Sequence, residues 1–322
     1  MISFTKSVAV LAACAFAASS FLLSGAASAE EKKITVGFVQ VGAESAWRTA
    51  NSKSVTDEAA KRGIDLKFAD GQQKQENQIK AVRAFIAQHV DVIVLAPVVE
   101  PGFEPVLTEA KRAKIPVILS DRRAKLSNDS LYVTFIGSDF VEEGRLAAKF
   151  LVDKTGGKAK IAELQGTPGS APANDRMKGF KEVIADKPGM EIIMSQTGEF
   201  TRAKGKEVME AFLKSPKGKE ITALFAHNDD MAIGAIQAIE AAGLKPGKDI
   251  IIVSIDGVKS AFEAMAEGKL NCTVECNPLI GPQLFDAVEA IVAGKTLEKR
   301  VAVKEGVFTE DQAKAELPNR KY

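Results

Sequence analysis

The chain has 322 residues and carries 43 basic and 42 acidic side chains. With the charges so nearly balanced, nothing electrostatic recruits nucleic acid or an anionic membrane, which argues for a neutral or locally complemented ligand. The length exceeds what one hydrophobic core usually holds, so we expect two domains.

Residues 1–29 have the features of a signal peptide that is cleaved on export. Lys6 precedes an apolar run over 8–23, and the tripeptide at 27–29 has the small-x-small form that signal peptidase accepts. The apolar run of about 16 residues is shorter than the roughly 20 that span a bilayer, which argues against a membrane anchor. Lipid attachment at Cys14 is a second alternative, disfavoured because the apolar run continues past it. We therefore expect a mature protein in the periplasm.

From residue 33 onward, short β-rich runs alternate with longer amphipathic runs, which predicts βαβ units and parallel sheets. The first series has predicted strands at 34–40, 66–69, 92–95, 117–119 and 132–136, and helices at 47–61, 75–88 and 105–113. A domain boundary is predicted near Ser138-Asp139, because a second series with the same pattern begins there. Its predicted strands are 160–164, 191–196, 222–225, 249–254 and 271–275, and its helices are 142–152, 176–185, 202–213 and 231–241. A helix at 282–292 and a β-like run at 301–303 follow.

The cysteines and histidines give little support to metal chemistry. Cys272 and Cys276 lie four residues apart in a predicted strand, which separates their Cα atoms by roughly 13 Å, beyond disulfide reach. We expect them to be free, buried thiols. His89 and His227 are the only histidines, and no CxxC or HExxH motif accompanies them. The sequence therefore predicts no metal and no cofactor.

Polar side chains follow several predicted strands at the point where each strand ends. Gln40 and the segment at 42–48 follow the first strand, Asp121-Arg122 the fourth, and Asn228 and Asp256 follow two strands of the second series. In open α/β sheets, ligands bind at the carboxyl ends of the strands, so these positions predict a polar small-molecule site.

This set of side chains suits a sugar. A sugar hydroxyl can donate to an aspartate and accept from an arginine, and such charge-assisted bonds are stronger than neutral ones. The apolar face of a sugar ring can lie against the indole of Trp47. For Asp229, Asp230 and Asp256, a role as helix cap or hinge support is equally open, and Trp47 is alternatively a core residue.

Catalytic motifs are missing from the sequence. There is no G-x-S-x-G elbow, no complete Walker loop and no G-x-G-x-x-G after the first strand. The adjacent carboxylates Asp229 and Asp230 would point in different directions, so glycosidase chemistry lacks a partner. The sequence therefore predicts a binding protein, not an enzyme.

Several long segments identify a family resemblance. They are DGQQKQENQIKAVR at 70–83, FTR at 200–202 with KGKEVME at 204–210, AHNDDM at 226–231 and GLKPGKDI at 243–250. With these segments the chain resembles the type I periplasmic sugar-binding proteins of ABC transporters, the ribose-binding class, over essentially its whole mature length. Within that class it is most similar to the members that bind galactofuranose.

The resemblance implies a particular architecture. Two Rossmann-like lobes with parallel-rich sheets are joined by a three-segment hinge, and the sugar lies in the cleft between them. The crossings fall near Ser138, Asn277 and Ala302. The N-terminal lobe then comprises 30–138 plus 277–302, and the C-terminal lobe 139–276 plus 303–322.

The resemblance also implies the ligand-binding residues. The family's two ring-stacking positions fall on Trp47 and Arg48, and the arginine there departs from the aromatic pair often found, which implies a more polar sugar edge. A further hydroxyl-binding position falls at Glu275 or Cys276, of which only one faces the cleft, and Glu275 is favoured. The complete predicted set is Trp47, Arg48, Asp121, Arg122, Arg176, Asn228, Asp256 and Glu275.

The implied mechanism is capture of a monosaccharide, galactofuranose-like or another hexose or pentose, and its delivery as a closed complex to an ABC transporter permease. The protein is expected to be a monomer. A sugar-binding or quorum-signal-binding protein that acts with a chemoreceptor or sensor stays open as an alternative. A transcription regulator of the same fold is disfavoured by the export signal and by the lack of an N-terminal helix-turn-helix.

Overall fold

A computed structural model describes residues 33–322 of the protein, and its framework is two six-stranded β-sheets. All pairs in the first sheet are parallel. From edge to edge its strands are β11 (Arg300–Ala302), β5 (Thr134–Gly137), β4 (Val117–Ser120), β3 (Val92–Leu95), β1 (Thr35–Gln40) and β2 (Asp65–Asp70).

The second sheet repeats this plan with one antiparallel edge strand. Its strands are β12 (Val307–Thr309), β10 (Cys272–Glu275), β9 (Ile251–Asp256), β8 (Ala223–Ala226), β6 (Ala159–Gln165) and β7 (Met190–Thr197). Only β12 runs antiparallel, against β10. The predicted α/β class with two parallel-rich sheets is confirmed.

Helices cover both faces of the first sheet, because alternate side chains of each strand point to opposite faces. The helices are α1 (Ala46–Lys61), α2 (Gln75–Ala87), α3 (Glu104–Arg112) and α9 (Gly281–Val292). Val39 on β1 enters one apolar core with residues of α2 and α3. Its neighbour Phe38 enters a second core with residues of α1 and α9. The strands therefore read as continuous apolar runs.

The second sheet is packed against six helices around one apolar core. These are α4 (Phe140–Thr155), α5 (Ala171–Ile184), α6 (Arg202–Lys214), α7 (Asp229–Ala241), α8 (Lys259–Ala266) and α10 (Glu310–Glu316). The chain passes from one sheet to the other three times: between β5 and β6, between β10 and β11, and between β11 and β12.

The predicted elements are present, with a few differences in extent. Helix α5 begins at Ala171, five residues before its predicted start, because the Ser170 hydroxyl caps it and Pro172 occupies its first turn. Arg176 therefore lies inside the helix and not at its end. The sequence analysis did not predict α8, β12 or α10, which are the short elements of the C-terminal half.

Some predictions concern residues 1–32. The predicted signal peptide at 1–29 and Cys14 lie outside the described residues. Within 33–322, no helix has both the length and the apolar character needed to cross a membrane. Cys272 and Cys276 are both free and buried, as predicted.

Candidate functional site

A cavity with about 290 Å³ of unfilled space lies where the carboxyl ends of strands from both sheets meet. The lining residues are Glu44, Ser45, Trp47, Arg48, Asp121, Arg122, Phe140, Pro172, Arg176, Phe200, Asn228, Asp256 and Cys276. The set includes every predicted ligand-binding residue except Glu275.

Helix α1 carries the first two predicted residues into the cavity. Ser45 caps the helix by accepting a hydrogen bond from the Arg48 amide at 3.1 Å, so the side chains of the first turn emerge directly after β1. The buried Arg48 guanidinium lies 2.7 Å from Asp121 Oδ2 and donates from Nε to Glu44 Oε1 at 3.1 Å. Burial lowers the pKa of Arg48, but these two carboxylates outweigh it and raise the pKa above its usual value. Arg48 is therefore a fixed cation.

The pair Asp121-Arg122 follows β4. Asp121 has a φ of 63°, a left-handed conformation that is uncommon outside glycine and that turns the backbone sharply at the strand end. Arg122 donates from Nη1 to the carbonyl of Val98 at 3.3 Å. Burial and the nearby charge of Arg48 lower the pKa of Arg122 to about 10, so it stays protonated at neutral pH.

The second-sheet half contributes Arg176 from α5. Its Nε donates to Glu143 Oε2 at 2.7 Å, and its Nη1 donates to the carbonyl of His227 at 2.6 Å. The remaining Nη2 lies 3.7 Å from Asp256 Oδ1, at the end of β9. Asp256 also has a positive φ, of 134°, which repeats in the second half the strained strand end seen at Asp121.

The ionisation of Asp256 is set by its surroundings. Burial raises its pKa well above the ordinary value, and the guanidinium of Arg176 opposes that effect. The carboxyl groups of Asp229 and Asp230 act in the same direction as burial. In either ionisation state this carboxyl group can accept hydrogen bonds from sugar hydroxyls.

Asn228 and its neighbour Asp229 both stabilise the structure around the cavity. Asn228 lines the cavity and caps α7, with Oδ1 accepting from the Met231 amide at 3.0 Å. Asp229 is buried and accepts from the amides of Gly257 at 2.7 Å and Val258 at 2.9 Å, so it supports the loop after β9. Asp229 therefore behaves as the alternative interpretation expected.

Aromatic rings surround the charged groups. Trp47 lines the cavity and also packs in the core of the second-sheet half, with its Nε1 donating to the carbonyl of Cys276 at 2.5 Å. Phe140 and Phe200 also line the cavity, and the Arg122 guanidinium lies 5.3 Å from the centre of the Phe200 ring. The sequence analysis missed both phenylalanines, although Phe140 follows the predicted boundary at Ser138-Asp139 directly.

Glu275 does not line the cavity, contrary to the prediction. Its carboxylate accepts from Arg320 Nη1 at 3.0 Å and from the Tyr322 hydroxyl at 3.1 Å, both in the C-terminal segment. Cys276 lines the cavity in its place. Adjacent residues at a strand end point to opposite sides, so only one of the two can face the ligand.

Glu44 is a further cavity residue that the sequence analysis did not select. Its spacing of four from Arg48 was the available signal, because residues at i and i+4 meet at the start of a helix. Both Glu44 Oε2 and Arg122 Nε are buried, and neither has a hydrogen-bond partner among the described residues. Buried polar atoms are costly without partners, so the two atoms offer a bound hydroxyl an acceptor and a donor.

Contacts between the two halves surround the cavity. The amide of Ala46 donates to Asp230 Oδ2 at 2.7 Å, and the amide of Glu100 donates to the carbonyl of Gly169 at 2.9 Å. An ion pair between Arg123 and Asp175 adds a third contact. The halves are therefore closed over the site.

The chain is similar over most of its length to known solute-binding proteins. A family model described as a periplasmic binding protein domain matches residues 36–296. The galactofuranose-binding protein YtfQ of Escherichia coli strain K12 is 53% identical over 291 residues, which cover 89% of this chain and 92% of that protein.

Two solved structures match with a TM-score of 0.87 each. One is the periplasmic component of the arabinose ABC transporter from Shewanella sp. ANA-3, bound to α- and β-L-arabinofuranose. It is 59% identical, and the match covers 89% of this chain and 95% of that chain. The other is a Mycobacterium smegmatis protein in complex with β-D-fucofuranose. It is 51% identical, with 90% of this chain and 95% of that chain covered.

Proposed function

The chain belongs to the periplasmic binding protein family, and from that premise we propose that it captures a monosaccharide in its furanose form and delivers it to an ABC importer. The family consists of substrate-binding proteins, not enzymes. The observation that carries the proposal is the closed cavity, in which carboxylates and guanidiniums from both sheets converge at the strand ends. Similar proteins support the furanose form: one is named for binding galactofuranose, and two solved structures hold arabinofuranose and fucofuranose.

The charges of the cavity favour a neutral ligand. Three arginines, Arg48, Arg122 and Arg176, face the carboxyl groups of Glu44, Asp121 and Asp256, so each guanidinium has a carboxyl group near it. Each carboxyl group accepts from a hydroxyl and each guanidinium donates to one. A site of this kind rejects analogues that lack a hydroxyl, because a buried polar group is then left unpaired.

We assign roles to the predicted residues accordingly. Asp121, Arg122 and Glu44 bind one edge of the sugar from the first-sheet half, and Arg176 and Asp256 bind the other edge from the second. Trp47, Phe140 and Phe200 pack against the apolar faces of the ring. Asn228 positions the start of α7. One hydrogen of its side-chain amide is bonded to the carbonyl of Phe200, and the other is donated to the sugar.

Capture requires that the two halves move. We propose lobes of 30–138 plus 277–302 and 139–276 plus 303–322, joined at the three passages between the sheets. A sugar that bonds groups of both lobes stabilises the closed arrangement, and each lobe alone binds weakly because it holds half of the partners. The closed monomer in the periplasm then docks on the permease of the importer.

Calorimetry on protein lacking residues 1–29 tests the proposal, after unfolding and refolding to remove carried-over ligand. The probes are D-galactose, L-arabinose, D-fucose, D-ribose and D-xylose. We expect tight binding of at least one sugar in proportion to its furanose fraction. Absence of heat with the whole set, for a folded protein, would overturn the proposed function.

Two variants test the assignment of the cavity. Asp121→Ala and Arg176→Ala should each weaken binding at least tenfold, which corresponds to about 1.4 kcal/mol. Arg83→Ala is the matched control, because Arg83 is an exposed arginine of α2 that pairs with Glu109 far from the cavity. Unchanged affinity in both cavity variants would remove the site assignment and leave sugar binding itself intact.

A further inference from the structure

Four polar residues meet where the chain passes between the two sheets, and we name them the hinge cluster: Ser138, Glu143, Cys276 and Glu305. Ser138 follows β5, Cys276 follows β10, and Glu305 lies between β11 and β12, so each of the three passages contributes one member. Glu143 projects from the first turn of α4. One oxygen of each carboxyl group and the sulfur of Cys276 all lie within 4.8 Å of one another.

The contacts inside the hinge cluster are short and largely buried. Ser138 Oγ donates to Glu305 Oε1 and lies 3.4 Å from the sulfur of Cys276. The amide of Asn277 also donates to Glu305 Oε1, at 3.3 Å. Glu143 and Cys276 are each 1% exposed. Because the members belong to different passages, a change in the angle between the two halves changes the distances between them.

The charge of the hinge cluster is incompletely balanced. Arg176 pairs with Glu143 Oε2 at 2.7 Å, and its guanidinium also lies 3.7 Å from the carboxyl group of Asp256. The other oxygen of Glu143 is buried and has no hydrogen-bond partner among the described residues. On the outer side, Arg300 donates from Nη2 to the carbonyl of Ser138 at 3.3 Å. The same nitrogen lies 3.8 Å from Asp139 Oδ2. No guanidinium or ammonium group is paired with Glu305 among the described residues.

Two carboxyl groups within 4.8 Å, Glu143 buried and Glu305 half-buried, cannot both ionise without an electrostatic penalty, so one proton between them is the favourable state. Burial raises the pKa of Glu143, and the nearby guanidinium of Arg176 opposes it. Burial and the charge of Glu143 raise the pKa of Glu305 to about 8. A divalent cation is a poorer fit than a proton, because the Arg176 guanidinium already occupies the edge of the cluster.

We propose that the hinge cluster binds one proton when the two lobes close, so that capture of the sugar takes up a proton from water. This inference rests on the proposed function. The proton adds to a carboxylate oxygen of Glu305 and removes the repulsion between that carboxylate and the nearby carboxylate of Glu143. Opening of the lobes separates the passages, returns Glu305 to water and releases the proton.

The sign of the pH dependence follows from linkage. In the open protein we expect Glu305 to have an ordinary glutamate pKa of about 4.3. Because the pKa in the closed protein is higher, the protonated carboxyl favours closure at low pH, and the advantage is lost as the pH rises to about 8. Sugar affinity should therefore fall with rising pH across this range, by at most about tenfold per unit.

The experiment is calorimetric titration at pH 7 in phosphate and in Tris, whose ionisation enthalpies differ, with the sugar among D-galactose, L-arabinose and D-fucose that binds most tightly. The difference in measured enthalpy between the buffers gives the number of protons taken up. We expect the Glu305→Gln protein to take up close to one proton fewer than the unmodified protein. Glu298→Gln is the matched control, because Glu298 is exposed and lies beside the same strand β11. It should leave the proton number unchanged.

Equal proton numbers in the unmodified and Glu305→Gln proteins, with sugar bound to both, would overturn the inference and leave the sugar-binding function in place. No heat from any of the three sugars would overturn the function and the coupling together. If Glu305→Gln does not fold, Ser138→Ala provides a second test, because it removes the hydroxyl that stabilises the Glu305 carboxylate. The sugar affinity of the Ser138→Ala protein should then fall at a higher pH than that of the unmodified protein. An unchanged pH profile of the affinity would refute the proposal.

Discussion

The hydrogen bond from the Ala46 amide to Asp230 tests closure without touching the cavity. Asp230 lies at the start of α7 in the second-sheet half, and its Oδ2 accepts at 2.7 Å from the first residue of α1 in the other half. A carboxylate at a helix N-terminus is stabilised both by the bond and by the helix dipole. Because the bond joins the halves, it exists only in the closed arrangement.

The structure allows the size of the effect to be worked out. A hydrogen bond with one charged partner contributes about 1.5–3 kcal/mol, and Asp230 is only 5% exposed, so solvent screens it little. Taking about 2 kcal/mol, Asp230→Ala should weaken sugar binding about thirtyfold. Within its own half Asp230 pairs with the partly exposed Arg202, at 2.9 Å from Nη2, so the unfolding free energy of that half should fall by no more than about 1 kcal/mol.

The donor can be removed independently, because Ala46 is the first residue of α1. Proline is well tolerated at that helix position and lacks the amide hydrogen. The preceding Ser45 has φ −145° and ψ 163°, an extended conformation that suits a residue before proline. Ala46→Pro should therefore cost the same affinity as Asp230→Ala, and the double variant should bind no more weakly than either single variant.

Calorimetric dissociation constants for the three variants and for Arg202→Gln decide the matter. Arg202 pairs with Asp230 from the same half, with its Nη2 2.9 Å from Oδ1, so its loss should leave the bond to Ala46 and change affinity by less than about threefold. Affinity within threefold of the unmodified protein for both Asp230→Ala and Ala46→Pro would refute the reasoning. Additive losses in the double variant would show that the two groups act separately.

Two further predictions concern stability. Burial raises the pKa of Glu163, but hydrogen bonds, first from His227, outweigh it and lower the pKa from 4.5 to about 2. The carboxylate therefore stabilises the fold above about pH 4.5, and about 3 kcal/mol of unfolding free energy should be lost as the pH falls to 2. Urea titrations of Glu163→Gln should show a flatter pH dependence, and an equal slope would contradict the assignment. Gly144 lies where α4 crosses α5, and a Cβ there would be 2.2 Å from the carbonyl oxygen of Arg176. Gly144→Ala should cost about 2 kcal/mol and weaken sugar binding by displacing Arg176, whereas the exposed Lys149→Ala on the same helix should do neither, and binding as tight as that of the control would be the contrary result.

The position of the site was predictable because it depends on local pattern. Apolar runs that alternate with amphipathic runs predict parallel strands, and the ends of parallel strands meet at one edge whatever the loop details. Asp121, Arg122 and Asp256 were therefore identifiable as residues that follow such runs, and the structure brings them together with Arg48 and Arg176. The resemblance to a known family, carried by long segments, also predicted where the chain passes between the sheets.

Other features depend on contacts between distant parts of the chain. Glu275 and Cys276 are indistinguishable by strand alternation alone, and the choice is made by Arg320 and Tyr322, which bind the Glu275 carboxylate on the far side. Phe200 enters the cavity from a loop whose place is set by the packing of α6 on α7.

The hinge cluster shows the same division between local pattern and tertiary packing. The sequence by itself determined that the chain alternates strand and helix, because hydrophobic periodicity is a property of neighbouring residues. It also determined that polar groups end the strands. Only the tertiary structure decided that Glu143 and Glu305, 162 positions apart in the printed sequence, lie in one cluster beside a single guanidinium. Burial and charge compensation are sums over every neighbour in space, and no local spacing contains them.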